Sequence, residues 1–267
     1  MDLYSATRLL ARTRKRQQSN DLFQTVNCDS LGWTAAMSGW EQMLADYLFI
    51  PHRLRELMAR RYCPLLEGTV LDIGCGRGQY RSRLYSATRY IGMDITATTQ
   101  TMVVASALRL PFRASCIDSI LCSEVLEHLT EPSEAISEMQ RVLRPGGRVY
   151  LTTPQSWGLH YEPHDYFRYT KYGLRYLFEK HGFRIEELRQ IGGLFSYSSA
   201  RSVELLVANP VMSLLAAIGV SRGRYRAAAL ATLPLNLVLY PISRIVDRFD
   251  RTNAYGWAVL ARKTTSR

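Results

Sequence analysis

The chain has 267 residues, enough for one large domain with a sizeable insertion and a real buried core. Its 47% apolar and 21% charged residues are those of a globular protein rather than a disordered or fibrous one. The net charge of +11, with 30 of its 34 basic residues arginine, fits nucleic acid, an anionic membrane surface or a phosphorylated substrate and does not choose among them. The five cysteines, at 28, 63, 75, 116 and 122, show neither a C-x-x-C pair nor a framework spacing, so reduced thiols and a cytoplasmic setting are expected.

Taken in order, residues 1–30 read as a loosely structured basic tail carrying Arg8, Arg12, Arg14, Lys15 and Arg16, with no apolar segment behind them to make a secretory signal. Apolar spacing then predicts two helices between Trp33 and Tyr62, the second following Pro51. Residues 69–73, 90–94, 102–105, 117–122 and 148–153 read as short strands, with helices predicted near 78–87 and at 132–143, the latter ended by Pro145-Gly146-Gly147. A helix at 170–183, a strand near 184–190 and a last strand at 256–262 complete the pattern. Strands alternating with helices predict an α/β fold: a doubly wound, seven-stranded, mostly parallel sheet. The division expected is 1–65 for the tail and first helices, 66–192 with 252–267 for the sheet domain, and 193–251 for an apolar, arginine-rich helical insertion.

The segment "VLDIGCGRGQY" (70–80) sets Gly74, Gly76 and Gly78 at alternate positions behind the first strand, where backbone must bend sharply or admit a ligand. Asp94 ends the next strand, and its carboxylate can accept hydrogen bonds from two ribose hydroxyls. With "LDIGCGRG", "GMD", "LPF", "EVLEHL" and "RVLRPGG" in this order, residues 66–190 and the final strand resemble the class I S-adenosylmethionine-dependent methyltransferases. The resemblance implies a Rossmann-like fold and S-adenosylmethionine as cofactor. Gly74 and Gly76 would then face its methionine part, with Asp72 and Gly78 shaping the loop. Asp94 would hold the ribose and Ile95 would pack on the adenine. Ser106 and Ala107 stand where the family often has an aspartate that binds the adenine amino group, and Glu124 would lie near the cofactor or serve as a helix-start carboxylate.

Methyl transfer to oxygen needs a general base. The cluster "HYEPHDYFRYT" (160–170) supplies His160, His164 and Asp165, with Arg168 available to an anionic substrate group and His128 as a second base or a solvent-facing side chain. The alternative is a structural brace for the following helix. A metal ranks below both, because no structural-zinc spacing is present, and none is expected. "EPHDYFRYT" before a helix resembles methyltransferases found with bacterial glycan and cell-envelope biosynthesis, which implies a small-molecule or lipid-linked glycan acceptor.

In the insertion, the apolar runs 203–220 and 227–242 approach the length of a membrane span, with Asn209-Pro210 and Pro234 to Asn236 expected to interrupt them. A spanning hairpin would put the arginines of "SRGRYR" outside, against the positive-inside rule. Peripheral contact of 203–242 with the inner face of a membrane is therefore expected, against a lid or dimer face. Nucleic acid is disfavoured by the absence of a Pro-Pro-aromatic signature after the fourth strand and of an RNA-binding module, which leaves an RNA methyltransferase and a non-catalytic cofactor-binding scaffold as alternatives.

Overall fold

Alternate residues of the apolar strands point to opposite faces, and here both faces are covered. In the computed structural model, which describes residues 49–220 and 224–265, Leu71, Ile73, Ile120, Cys122, Val149 and Leu151 enter one core, while their neighbours Val70, Leu121 and Tyr150 enter another. The predicted basic tail, the first predicted helix and the connector 221–223 lie outside the described residues, and nothing is described of the side chains of 224–226.

The elements are helix α1 (Ile50–Tyr62), strands β1 (Gly68–Ile73), β2 (Ala87–Asp94), β3 (Val103–Val104) and β4 (Ile117–Ser123), helix α2 (Pro132–Val142), strand β5 (Leu143–Pro154), helix α3 (Lys171–Lys180) and strand β6 (Phe183–Ile191). Helices α4 (Leu194–Val203), α5 (Asn209–Ala217) and α6 (Arg224–Val246) follow, and strand β7 (Gly256–Lys263) ends the series. The sheet order is β3-β2-β1-β4-β5-β7-β6, with β7 antiparallel to both neighbours and the other pairs parallel. The strand order reverses between β1 and β4, so the crevice for a ligand opens above their carboxyl ends.

Helix α2 begins at Pro132 and buries Ala135, Ile136, Met139 and Val142, a stripe at helical spacing that packs on the first core. Helix α3 is capped by Thr170, whose hydroxyl accepts the Gly173 N–H at 3.1 Å, and it buries Leu174 and Phe178 on the same side. Across the sheet, α1 and α4 cover the second core with Ile50, Leu54, Tyr62 and Ala200.

Three expectations change. The helix predicted near 78–87 is a run of turns with one short 3₁₀ turn at Arg81–Arg83, because Gly76 and Gly78 take left-handed backbone and leave too few residues before β2. Pro145 to Gly147 do not stop α2; the helix already ends at Val142, and these residues form the start of β5, where Gly147 lets the Asp118 carbonyl come close. The prolines of the insertion do not interrupt it. Leu194–Ala217 is continuous helix, with a π-helical turn at Glu204–Ala208 directly before Pro210, the site where a proline removes a helical N–H, and α6 runs through Pro234 and Pro241.

Both helical stretches are long and apolar enough to cross a membrane by length and composition, and only 17% and 22% of their apolar windows are buried. Leu205, Leu206, Leu214, Leu230, Leu237 and Val238 stand exposed. The base of the helical pair is tied by two carboxylates that follow α6: Asp247 accepts the Phe195 and Ser196 N–H groups and the Ser196 hydroxyl, and Asp250 accepts the Leu194 N–H at 2.9 Å. They satisfy the unpaired donors at the α4 N-terminus.

Candidate active site

The glycine loop is shaped by backbone geometry first. The N–H groups of Gly74 and Cys75 both donate to the Met93 carbonyl, at 2.8 and 3.0 Å, which folds the loop over the end of β2. Gly74, Gly76 and Gly78 all have positive φ. A Cβ at Gly74 would collide with Val125, and one at Gly78 would meet Gln100 at 2.9 Å, whereas at Gly76 nothing lies within 4 Å. Of the three, Gly76 is therefore where the loop backbone stands open to an incoming group.

Asp94 holds that loop. One carboxylate oxygen accepts the Gly76 N–H at 2.9 Å, and the other accepts the Thr96 N–H and hydroxyl at 3.0 and 3.1 Å. One lone-pair site remains, on the oxygen that accepts from Gly76, for a further hydroxyl donor. Ile95, next in the chain, is exposed at the crevice rim. Beneath the loop Asp72 is buried and accepts the Tyr90 hydroxyl at 2.8 Å; burial, with the Asp94 charge nearby, pushes its carboxyl up to about 7. Ser106 closes a local turn by accepting the Leu108 N–H at 3.2 Å, and Ala107 is buried behind it. An open glycine backbone, a carboxylate with an acceptor site to spare and an exposed apolar side chain at one strand end fit a nucleoside cofactor.

Beyond β4 the chain does not enter a helix directly. Glu124 takes left-handed backbone at φ +54°, its N–H donates to the Thr152 carbonyl, and its carboxylate receives Arg55 at 2.8 Å. It is therefore an ion-pair partner of α1 rather than a helix-start carboxylate. Such a conformation in a non-glycine residue is uncommon and concentrates at functional sites.

Next come Leu126–His128, a 3₁₀ turn that carries Glu127 and His128 back over the sheet. Glu127 is fully buried. Its Oε2 accepts the Thr153 hydroxyl from β5 at 3.1 Å, while Oε1 has no hydrogen-bond partner. Burial, and then the Glu124 charge, push its carboxyl well above the usual carboxylate range. His128 does not face solvent on a helix; its half-buried ring donates from Nδ1 to the His164 carbonyl at 2.6 Å, and burial lowers its pKa.

The segment 160–170 folds onto this turn. His160 is buried, 4.8 Å ring to ring from His128, and its Nδ1 lies 3.1 Å from the Gly158 carbonyl. Asp165 accepts the His160 N–H and two guanidinium bonds from Arg168 at 2.6 Å; burial opposes the charge, but these donors hold its carboxyl below the ordinary range. Arg168 also donates to the Trp157, Gly158 and Phe167 carbonyls, so it braces the loop rather than offering itself to an anionic substrate group. The half-buried His164 places Nδ1 3.0 Å from the Tyr166 hydroxyl.

The structure thus brings Asp72, Gly74, Gly76, Gly78, Asp94 and Ile95 to one end of β1 and β2, and Glu124, His160, His164 and Asp165 to the ends of β4 and β5. Val125 packs against Gly74 and joins the two groups. Arg55 and Glu127 escape a reading of the sequence; the only sign of Glu127 is a carboxylate enclosed between Leu126 and Leu129.

Comparison with known proteins agrees with this geometry. Residues 71–151 match the family model described as a methyltransferase domain. An uncharacterized methyltransferase of Mycobacterium avium (strain 104) is 36% identical over 97 residues, covering 32% of this chain and 38% of its own. The tRNA (carboxymethyluridine(34)-5-O)-methyltransferase of Arabidopsis thaliana is 36% identical over 94 residues, covering 31% and 23%. The matched part therefore spans well under half the length of these curated relatives. In fold, the chain is similar to a SAM-dependent methyltransferase from Archaeoglobus fulgidus, with a TM-score of 0.50 and 19% identity over 80% of this chain and 93% of that one. Residues 71–151 are thus similar to a methyltransferase domain, and the sheet that carries them is similar in fold to S-adenosylmethionine-dependent methyltransferases.

Proposed function

We propose that the chain transfers the methyl group of S-adenosylmethionine to an oxygen of a sugar or of a lipid-linked glycan, working on the cytoplasmic side at the inner face of a membrane. The observation that carries this reading is the join at Val125, which sets an open glycine backbone and the Asp94 carboxylate beside a rim of buried histidines and carboxylates. The exposed apolar helices α4 to α6 support the membrane part, since they would lie among lipid headgroups and bring the crevice to a lipid-bound acceptor.

The cofactor supplies an electrophilic methyl group on a sulfonium. The chain positions two reactants for in-line displacement and handles one proton. Asp94 would hold the ribose and the open backbone at Gly76 would admit the tail, on the side of the crevice that Val125 joins to the β4 and β5 ends. Asp165 acts through the His160 backbone and Arg168 as a positioning residue. His164 takes the acceptor proton in this reading, and the Tyr166 hydroxyl orients its ring.

The test is incubation of the purified protein with methyl-labelled S-adenosylmethionine and fractionated envelope lipids, glycans and RNA. Label in an alkali-stable ether of the glycan or lipid fraction is expected. Label in RNA alone would replace this reading with the RNA methyltransferase, to which the likeness to the Arabidopsis tRNA enzyme lends support. His164→Ala should lower turnover at least tenfold with unchanged cofactor affinity.

A further inference from the structure

Three side chains from two segments converge beside the crevice: Glu127 and His128 from the turn after β4, and His160 from the loop after β5. Their ligand atoms all lie within 4.8 Å of one another, with Glu127 Oε1 3.7 Å from His128 Nε2 and 3.9 Å from His160 Nε2. The tautomers follow from the opposite ring nitrogens. His128 Nδ1 faces the His164 carbonyl, which only accepts, so Nδ1 carries the proton. His160 Nδ1 has the Gly158 carbonyl at 3.1 Å and the Asp165 carboxylate at 3.4 Å as acceptors, against one donor, the Arg168 guanidinium at 3.4 Å; the shortest contact is to an acceptor, so Nδ1 carries the proton here as well. In the neutral rings both Nε2 atoms therefore bear lone pairs, and both are aimed at a buried carboxylate oxygen that has no hydrogen-bond partner. With Glu127 ionised, three electron-rich atoms face one another with no donor among them, an arrangement that a bound cation resolves in place of a proton on the carboxyl.

We propose that Glu127, His128 and His160 form a divalent-cation site. Two imidazoles and one carboxylate on one side, with the other positions open, suit a first-row transition ion such as Mn²⁺, Fe²⁺, Co²⁺ or Zn²⁺ better than Mg²⁺. Ligands at about 2.1 Å from such an ion stand about 3.0–3.4 Å apart, so the carboxylate–imidazole pairs close by roughly half an ångström and the widest pair of ligand atoms by about 1.5 Å, within reach of side-chain rotation. The backbone carbonyls on the two Nδ1 atoms and Thr153 on Glu127 are the outer partners that orient such ligands.

The role of the ion rests on the methyl-transfer reading: its open positions take the acceptor hydroxyl and ease its ionisation. The proton passes to His164, the new O–C bond forms as the S–C bond of the sulfonium breaks, and the thioether product leaves. Ion binding itself does not depend on that reading.

The test uses the full chain stripped with EDTA and titrated with Co²⁺, Mn²⁺, Zn²⁺ and Mg²⁺ by calorimetry, with the visible spectrum of bound Co²⁺ as a signature. One transition ion per chain is expected, with Mg²⁺ at least tenfold weaker. Glu127→Gln, His128→Gln and His160→Gln should each weaken binding at least 100-fold, with folding checked by near-ultraviolet circular dichroism. Should a variant not fold, electron spin-echo measurements on wild-type protein with Mn²⁺ decide, two coordinated histidine nitrogens being required. Absence of stoichiometric binding, binding unchanged in the folded variants, or fewer than two nitrogens overturns the site. One bound ion lost in the variants, in a protein that methylates none of the fractions, supports the site and counts against the function.

Discussion

Arg55 on α1 reaches across to the carboxylate of Glu124, 69 residues later, at 2.8 Å, and so ties the helix before the sheet to the strained residue at the end of β4. The two side chains are 16% and 20% exposed, so the pair is largely withdrawn from water. Arg55→Met leaves a carboxylate without its cation and should cost about 2 kcal/mol, the scale of a hydrogen bond to a charged group. The Arg55→Met, Glu124→Gln double variant should recover part of that loss in urea unfolding, and strict additivity would mean the pair contributes nothing.

Asp94 and the loop glycines should separate binding from folding. Asp94→Asn replaces an acceptor with an amide and should weaken S-adenosylmethionine by about 1–3 kcal/mol, read by calorimetry. Gly76→Val puts its side chain into open space where the cofactor is expected, so binding should fail while the fold is largely kept, apart from a cost of about 1–2 kcal/mol for its left-handed backbone. Gly74→Ala drives a methyl group into Val125 and should destabilise the protein itself.

The buried carboxyl of Asp72 makes stability depend on pH. Its folded pKa of about 7 exceeds the unfolded value of about 3.9, so between these limits the unfolded chain releases a proton that the folded chain keeps. Stability therefore falls as pH rises through that window and levels off above 7. Asp72→Asn removes the effect, and its advantage over wild type should grow by on the order of 3 kcal/mol between pH 4 and pH 8 in cofactor-free protein. A difference that does not change with pH would show that Asp72 ionises freely.

The sheet and the meeting of the glycine loop with Asp94 were readable because they rest on local signals: alternation along each strand, glycine spacing and a carboxylate closing β2. The other end was not. Glu127 is buried by Thr153 of β5, and His128 is turned inward by the His164 carbonyl, partners that sequence distance conceals. His160, His164 and Asp165 stood out as a group, yet only folding divides them into a ring facing Glu127, a ring on Tyr166 and a brace for Arg168. A spacing rule also set metal aside, although the three electron-rich atoms come from 127, 128 and 160 rather than from one motif. The helix predicted over 78–87 failed because a steric requirement for left-handed backbone outweighed apolar spacing.

The helices α4 to α6 should bind vesicles. Their exposed leucines and valines predict flotation with lipid, and the seven arginines against three acids over 201–251 predict stronger flotation with anionic than with neutral vesicles, weakened by salt. Changing Arg222, Arg224 and Arg226 to Gln should reduce the charge-dependent part and leave cofactor affinity unchanged. Protein that stays soluble with every lipid composition would return these helices to a lid or a dimer face.

Strand β7 lies between β5 and β6, and among the described residues it is the only strand that β6 pairs with. A ribosome delivers β6 more than sixty residues before β7. Throughout that interval β5 presents a bare hydrogen-bonding edge, and β6 has no place in the sheet. Strand β7 thus docks into a gap between two strands made before it, closing long-range pairings that are slow to form. Thr153, which holds Glu127, and Pro154 pair with Trp257 and Gly256 in that final step. The β5 end that holds Glu127 is therefore fixed in the sheet only after the apolar helices have been made.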